Sequence, residues 1–244
     1  MRLDLCTWPE IESYLQTHDG IILPTGSTEQ HGPIGLIGTD TLCAQDIAVE
    51  AGAIARAMVA PVVAYTPAAF NMGFPGTLSL SVETFSSVIE EIVDGLIHHG
   101  FGHIYVLNGH GANIEPIKRI AAGKRAKFRL QSWWDFAAVN ALRQRFYGEW
   151  EGMHATPSEI AMTQARYRVV EGKALKPPKK LSAEFIKAHA GDRHGGPEEH
   201  RARFPDGRVG SHSSLATPEQ GADLFAAASI AVAEDYEAFV EDRQ

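Results

Sequence analysis

Ile21-Ile22-Leu23-Pro24-Thr25-Gly26-Ser27-Thr28-Glu29-Gln30-His31-Gly32-Pro33 is the stretch on which the reading of this chain turns. Three branched apolar residues suited to a buried strand run into a loop rich in glycine that carries a carboxylate and an imidazole. Glu29 and His31 are two residues apart, so in extended backbone their side chains point the same way. Gly26, Gly32, Gly35 and Gly38 let the loop fold tightly enough to bring Asp40 to meet them. Carboxylate and imidazole together suit Zn²⁺, Mn²⁺ or Fe²⁺.

A second cluster has the same build. The apolar run His103 to Leu107 is followed by Asn108-Gly109-His110-Gly111-Ala112-Asn113. If the two strands are parallel, both loops lie at the carboxyl edge of one sheet, where open α/β folds place their ligands. A structural reading stands beside each candidate. Asp40 is well placed to N-cap a helix beginning near Thr41, and Glu29 and His31 could be solvated loop residues. Four ligand-type side chains in two glycine-rich loops tip the balance toward a metal site. The second loop is not a nucleotide cradle, because Ile114 replaces the third glycine of GxGxxG, and no Walker A, HExxH or GxSxG motif is present.

Further along, short apolar runs such as Ala60 to Tyr65 alternate with stretches of helical period at Thr41 to Met58 and Val82 to His98, with Gly100 as the C-cap signal. Thr217-Pro218-Glu219-Gln220 opens a final helix expected over Pro218 to Phe239. This alternation predicts βαβ units and an α/β fold with a mainly parallel sheet flanked by helices. No linker interrupts it, so residues 1-244 are read as one domain. Lys173 to Ser214, rich in Gly, Pro and charge, is expected to run over the surface. Within it the His194 to His200 group is expected to be solvated or to form a subunit contact, while His98, His99 and His103 surround a helix end.

The 244 residues are 44% hydrophobic and 21% charged, an ordinary globular composition. The formal charge of -8 offers no basic field, which argues against nucleic acid and anionic membrane surfaces as partners. Acids near the start and no long apolar run predict a cytoplasmic chain. With only Cys6 and Cys43, far apart, any metal must be held by nitrogen and oxygen.

The motifs, taken in order, resemble the creatininase family. They are residues 24 to 33 with Gly-Thr-Asp at 38 to 40, Phe-Pro-Gly-Thr-Leu-Ser-Leu at 74 to 80, Asn-Gly-His-Gly-Ala-Asn at 108 to 113, and His154-Ala155 with Glu159 five beyond the His. Asp206-Gly207-Arg208-Val209-Gly210 and Ala216-Thr217-Pro218 complete the pattern. The resemblance implies two divalent metal ions, Zn first and Mn or Fe as alternatives, with Glu29 and His110 on one ion, His31 on the other and Asp40 bridging. Glu159 is the remaining carboxylate, although Thr156-Pro157-Ser158-Glu159 is equally a capping box. A metal-bound hydroxide would be the nucleophile. His154 would be either a general acid toward the leaving nitrogen or a donor that orients the nucleophile, and with Glu159 it forms the candidate catalytic pair. Trp150 matches an aromatic that covers substrate, against the default of a packing tryptophan.

The implied activity is hydrolysis of a C–N bond in a cyclic amide or related small molecule by a homo-oligomer, commonly a hexamer. Creatininase itself carries glutamate where Ala112 stands, and many relatives have histidine at the places of Ile34 and Asn71. These departures argue against creatinine itself. A formamide deformylase, a hydrolase of a cyclic ketone or lactone, or a non-hydrolytic maturation or binding protein are the other readings.

Overall fold

The computed structural model describes residues 1–170 and 175–242. Helix α1 (Trp8–Leu15) leads into strand β1 (Gly20–Thr25), and helix α2 (Thr39–Ile54) leads to the short β2 (Met58–Val59). Helix α3 (Val82–His98), β3 (His103–Asn108), α4 (Ile114–Ala121) and β4 (Lys127–Ser132) follow. The chain then continues through helices α5 (Ala137–Phe146), α6 (Pro157–Arg166), α7 (Ala183–His189), α8 (Pro197–Arg203) and α9 (Pro218–Glu241).

The four strands form one all-parallel sheet in the order β2-β1-β3-β4. From β1 the chain steps one way to β2 and then crosses to β3 on the other side. The strand order therefore reverses between β1 and β3, and the loops that leave their carboxyl ends border the crevice where such sheets bind ligands. β1 and β3 run in register from Gly20↔His103 to Thr25↔Asn108.

Alternation of side chains along these strands builds two cores. Ile22, Tyr105 and Leu107 point to one face and pack with Ile47, Ala48 and Ala51 of α2 and with Leu224, Ala228, Val232 and Phe239 of α9. Ile21, Leu23, Ile104 and Val106 point to the other and meet Phe85, Ile89 and Val93 of α3 and Ile117 of α4. A sheet covered on both faces explains why β1 and the last five residues of β3 are buried throughout.

Three expectations need correction. Helix α2 stops at Ile54: Arg56 takes a left-handed φ of 54°, and Met58, expected to be helical, pairs as strand with Ile21. Ala60 to Tyr65 forms only an isolated bridge at Val63, because Pro61 has no N–H to donate. Lys173 to Ser214 is no simple surface excursion. Lys173 and Ala174 lie outside the described residues, but the rest contains α7 and α8 and returns to cover the crevice. His200 is 3% exposed and the His194 side chain 2%, both packed on Phe70 rather than solvated. No helix among the described residues is long and apolar enough to cross a membrane.

Close packing of α6 on α9 holds the end of the crevice that carries His154 and Glu159. It depends on Gly221, where a Cβ would lie 1.9 Å from the Ala161 carbonyl oxygen. Gly221→Ala is expected to destabilise by about 1–3 kcal/mol, lowering the melting temperature by roughly 2–4 °C per kcal/mol. Thermal unfolding checks this, and an unchanged midpoint would show that the two helices can part without cost.

Candidate metal centre

Asp40 sits in the first turn of α2, but the N-cap position is Gly38 and Asp40 makes no capping bond. Its carboxylate instead lies between the two strand-end loops. Oδ1 is 2.8 Å from His31 Nε2 and Oδ2 is 3.0 Å from His110 Nδ1. The helix can press this close because glycines face it. A Cβ on Gly26 would fall 2.4 Å from the Thr41 α-carbon, and one on Gly109 would fall 2.5 Å from the Asp40 carbonyl oxygen.

Backbone carbonyls choose which nitrogen of each ring faces the centre. His110 Nε2 donates to the Pro67 carbonyl at 2.8 Å, so Nδ1 is turned toward Asp40 and toward Glu29, whose Oε1 is 3.4 Å away. His31 Nδ1 donates to the Glu29 carbonyl at 3.1 Å, leaving Nε2 for Asp40 and for Glu159, whose Oε1 is 3.7 Å away. Such outer partners set tautomer and orientation in metal-ligating histidines. Three groups result, each with its ligand atoms within 4.8 Å of one another: Glu29–Asp40–His110 and His31–Asp40–Glu159, two nests with Asp40 common to both, and Glu29–His31–His154.

Glu159 is the capping residue that the sequence offered. It closes the capping box of α6, accepting from the Thr156 N–H at 2.5 Å while Thr156 Oγ1 accepts from the Glu159 N–H. The same carboxylate borders the second nest. Just before it, Ala155 takes a left-handed φ of 56°, a conformation costly for alanine, which turns the chain so that His154 and Glu159 face one centre. His154 is held from behind by residues to which the sequence analysis gave no such role. Its Nε2 donates to the Gln30 carbonyl at 2.7 Å, and the Gln30 amide is fixed in turn by Asn71 Oδ1 at 2.8 Å and the Gly207 carbonyl at 3.0 Å. His154 Nδ1 is left facing Glu29 Oε1 at 3.4 Å. The bridges from His154 to Val209 and Gly210 explain the 206–210 motif as a brace.

Trp150 does not join them. It packs edge-on against His212 and beneath the Lys180 ammonium, and among the described residues it is absent from the lining of the cavity above the nests. That cavity, about 340 Å³, takes its aromatic walls from Trp133 and Trp134, with Arg143, Met153 and Asp192 at its sides and Asp40, His110, His154 and Glu159 at its floor. His98 and His99 close α3, and His103 Nδ1 lies 2.9 Å from Asp19 at the amino ends of β1 and β3, opposite the ends that carry these loops.

The donor set fits divalent cations. Glu29 is 0% exposed, yet neither of its oxygens has a hydrogen-bond partner. Uncompensated buried carboxylate oxygens are costly, and cations would satisfy them. The electrostatics say the same. Burial pushes the Glu29 carboxyl up to about 8 and Glu159 up to about 7. Burial opposes charge on His31, but Asp40 and Glu159 outweigh it and raise the imidazole to about 10. Burial likewise opposes charge on Asp40, where His31 and His110 prevail and hold the carboxyl well below its usual range. Protonated imidazoles thus stand where cations would.

Because Asp40 is common to both nests, Asp40→Ala is expected to lose both ions, whereas Glu159→Gln should weaken only one; metal content per chain by elemental analysis checks this. Protons and cations compete for His31, Glu29 and Glu159, so apparent metal affinity should fall as the pH drops from about 10 to about 7. Calorimetric titration near neutral pH in two buffers of different ionisation enthalpy should report net proton release, and none would contradict the ligand assignment.

The family model described as creatinine amidohydrolase matches residues 4–235. A creatinine amidohydrolase from Pseudomonas putida is 28% identical over 181 residues, which are 66% of this chain and 70% of that protein. A mycofactocin precursor peptide peptidase from Mycolicibacterium smegmatis is 36% identical over 119 residues, 46% of this chain and 48% of its own. A 3-dehydro-scyllo-inosose hydrolase from Thermotoga maritima is 34% identical over 122 residues, 50% of this chain and 39% of its own. The matched stretch therefore spans less than half the length of the last two. A crystal structure of creatininase superposes with a TM-score of 0.75 at 25% identity, covering 98% of this chain and 97% of that one. Creatininases named as a manganese form and a Zn-Zn form each give 0.74 at 25% identity, with 98% of both chains covered. With the family model spanning residues 4–235 and the creatininase fold superposing over 98% of it, the chain belongs to the creatininase family.

Proposed function

We propose that this chain is a two-metal hydrolase that cleaves a C–N bond in a cyclic amide or related small molecule. The observation that carries the proposal is Asp40, shared by two nests of buried carboxylate and imidazole at the floor of a cavity of about 340 Å³. That volume lies at the lower end of the roughly 300–1,000 Å³ of small-molecule sites. Zn²⁺, or Mn²⁺ or Fe²⁺, would be held by Glu29, Asp40 and His110 and by His31, Asp40 and Glu159. Ions so placed polarise a carbonyl and bring water toward ionisation near neutral pH.

The residues of the chain supply the rest. Asp40 fixes the two nests against each other. Trp133 and Trp134 wall off the cavity and reduce bulk water around the reacting carbonyl. Burial holds His154 neutral. With Nε2–H committed to Gln30, its Nδ1 is the nitrogen free to take a proton and return it to the departing nitrogen. We read the enzyme as a cytoplasmic homo-oligomer, a hexamer by family resemblance.

A creatinine amidohydrolase, a peptide peptidase and an inosose hydrolase are all relatives. The substrate therefore follows from the cavity walls and not from the nests. A panel of cyclic amides, formamides, lactones, cyclic ketones and short peptides, offered to Zn- and Mn-loaded protein, tests the reading. Turnover of a cyclic amide is expected. His154→Ala should lower kcat by about 10²–10⁴-fold with metal content unchanged. Turnover confined to a lactone or ketone would move the reading to that class, and retained metal without any turnover would favour a binding protein.

A further inference from the structure

Asp192 is a buried carboxylate that the two nests do not account for. It lies between α7 and α8 in the segment that covers the crevice, and its side chain is 11% exposed. Oδ2 is 3.8 Å from His110 Nδ1, on the nitrogen that faces the first nest, and the residue lines the cavity beside Asp40 and His110. Among the described residues its charged neighbours within 4.0 Å are His110 and His194; no lysine or arginine compensates it.

Three local features hold it there. Its own φ is 54°, left-handed backbone that few residues other than glycine adopt. Its carboxylate rests on Gly111, where a Cβ would fall 2.3 Å from Oδ2, so the loop after β3 is kept bare to receive it. The next residue, Ala112, has a side chain too short to compete for the space. The covering segment is pinned on the same side by His194 and His200, whose rings pack on Phe70 at 4.8 and 5.1 Å, while Phe70 stacks on His110 at 6.4 Å. A surface loop has no need to deliver a carboxylate at this depth.

We propose that Asp192 is a further carboxylate of the Glu29–Asp40–His110 nest, supplied by the covering segment and binding the cation held there from its cavity side. This rests on the two-metal reading. It adds that the first nest is completed by a residue about eighty positions beyond the His110 loop. Glu29 Oε1 and Oε2, buried and without hydrogen-bond partners, are the independent sign that a cation belongs in this nest.

Asp192→Asn is the variant of choice, because asparagine has the same shape and tolerates the left-handed backbone. Metal-free wild type and variant would be titrated with Zn²⁺ and with Mn²⁺ by calorimetry, and the melting temperature of each metal-free protein measured. The same titration in the Glu159→Gln background isolates the first nest. The expected result is two ions per wild-type chain, one of them bound about 10–100-fold more weakly in Asp192→Asn, an unchanged second ion, and equal metal-free melting temperatures. Two ions bound as tightly as in wild type would overturn the assignment. Equal weakening of both ions with a lower metal-free melting temperature would also overturn it, in favour of a purely structural role. Failure of wild type to bind any cation would instead reject the two-metal reading itself.

Discussion

The Asp40 carboxylate, wedged between the imidazoles of His31 and His110, is the constraint on which the site depends. It requires the first turn of α2 to sit where β1 and β3 both end. Gly26 and Gly109 permit that approach by leaving no Cβ in the way. The reversal of strand order between β1 and β3 places the two ends side by side. The position has a second effect, since helix N-termini favour negative charge. That placement adds to the effect of His31 and His110, which hold the buried carboxyl well below its usual range.

Satisfaction at this centre is uneven by design of the fold. The rings of His31, His110 and His154 each have one nitrogen tied to a backbone carbonyl, so their orientation is fixed before any ligand arrives. The carboxylate oxygens of Glu29, by contrast, are sealed from water without partners. Folding must carry that cost in the metal-free protein, and the two apolar cores on either side of the sheet supply the stability that offsets it. A rigid frame with unsatisfied acceptors at its centre binds cations well because little has to reorganise when they arrive.

What could be read in the sequence was local. The buried strands announced themselves by branched apolar runs, the amphipathic α3 by its period, and α9 by its capping signal. Glu29, His31, Asp40 and His110 were legible because two strand-and-glycine-loop units repeat the same ligand chemistry. Residues that act through distant contacts were not. Asp192, His194 and His200 sit among glycines and charges that look like solvated loop, and only packing on Phe70 and Gly111 buries them. Gln30 and Asn71 carry no charge to betray their part behind His154. Trp150 was read from its match to an aromatic that covers substrate in the family, yet Lys180 and His212 pack on its ring, the default role for a tryptophan, and Trp133 and Trp134 line the cavity.

The most direct test of the central claim is a crystal structure of the metal-loaded protein with anomalous data collected at the Zn and Mn edges. Two anomalous peaks flanking the Asp40 carboxylate, one against Glu29 and His110 and the other against His31 and Glu159, are the predicted result. A single peak that leaves Asp40 bound on one side only, or peaks away from both nests, would contradict the shared-carboxylate centre.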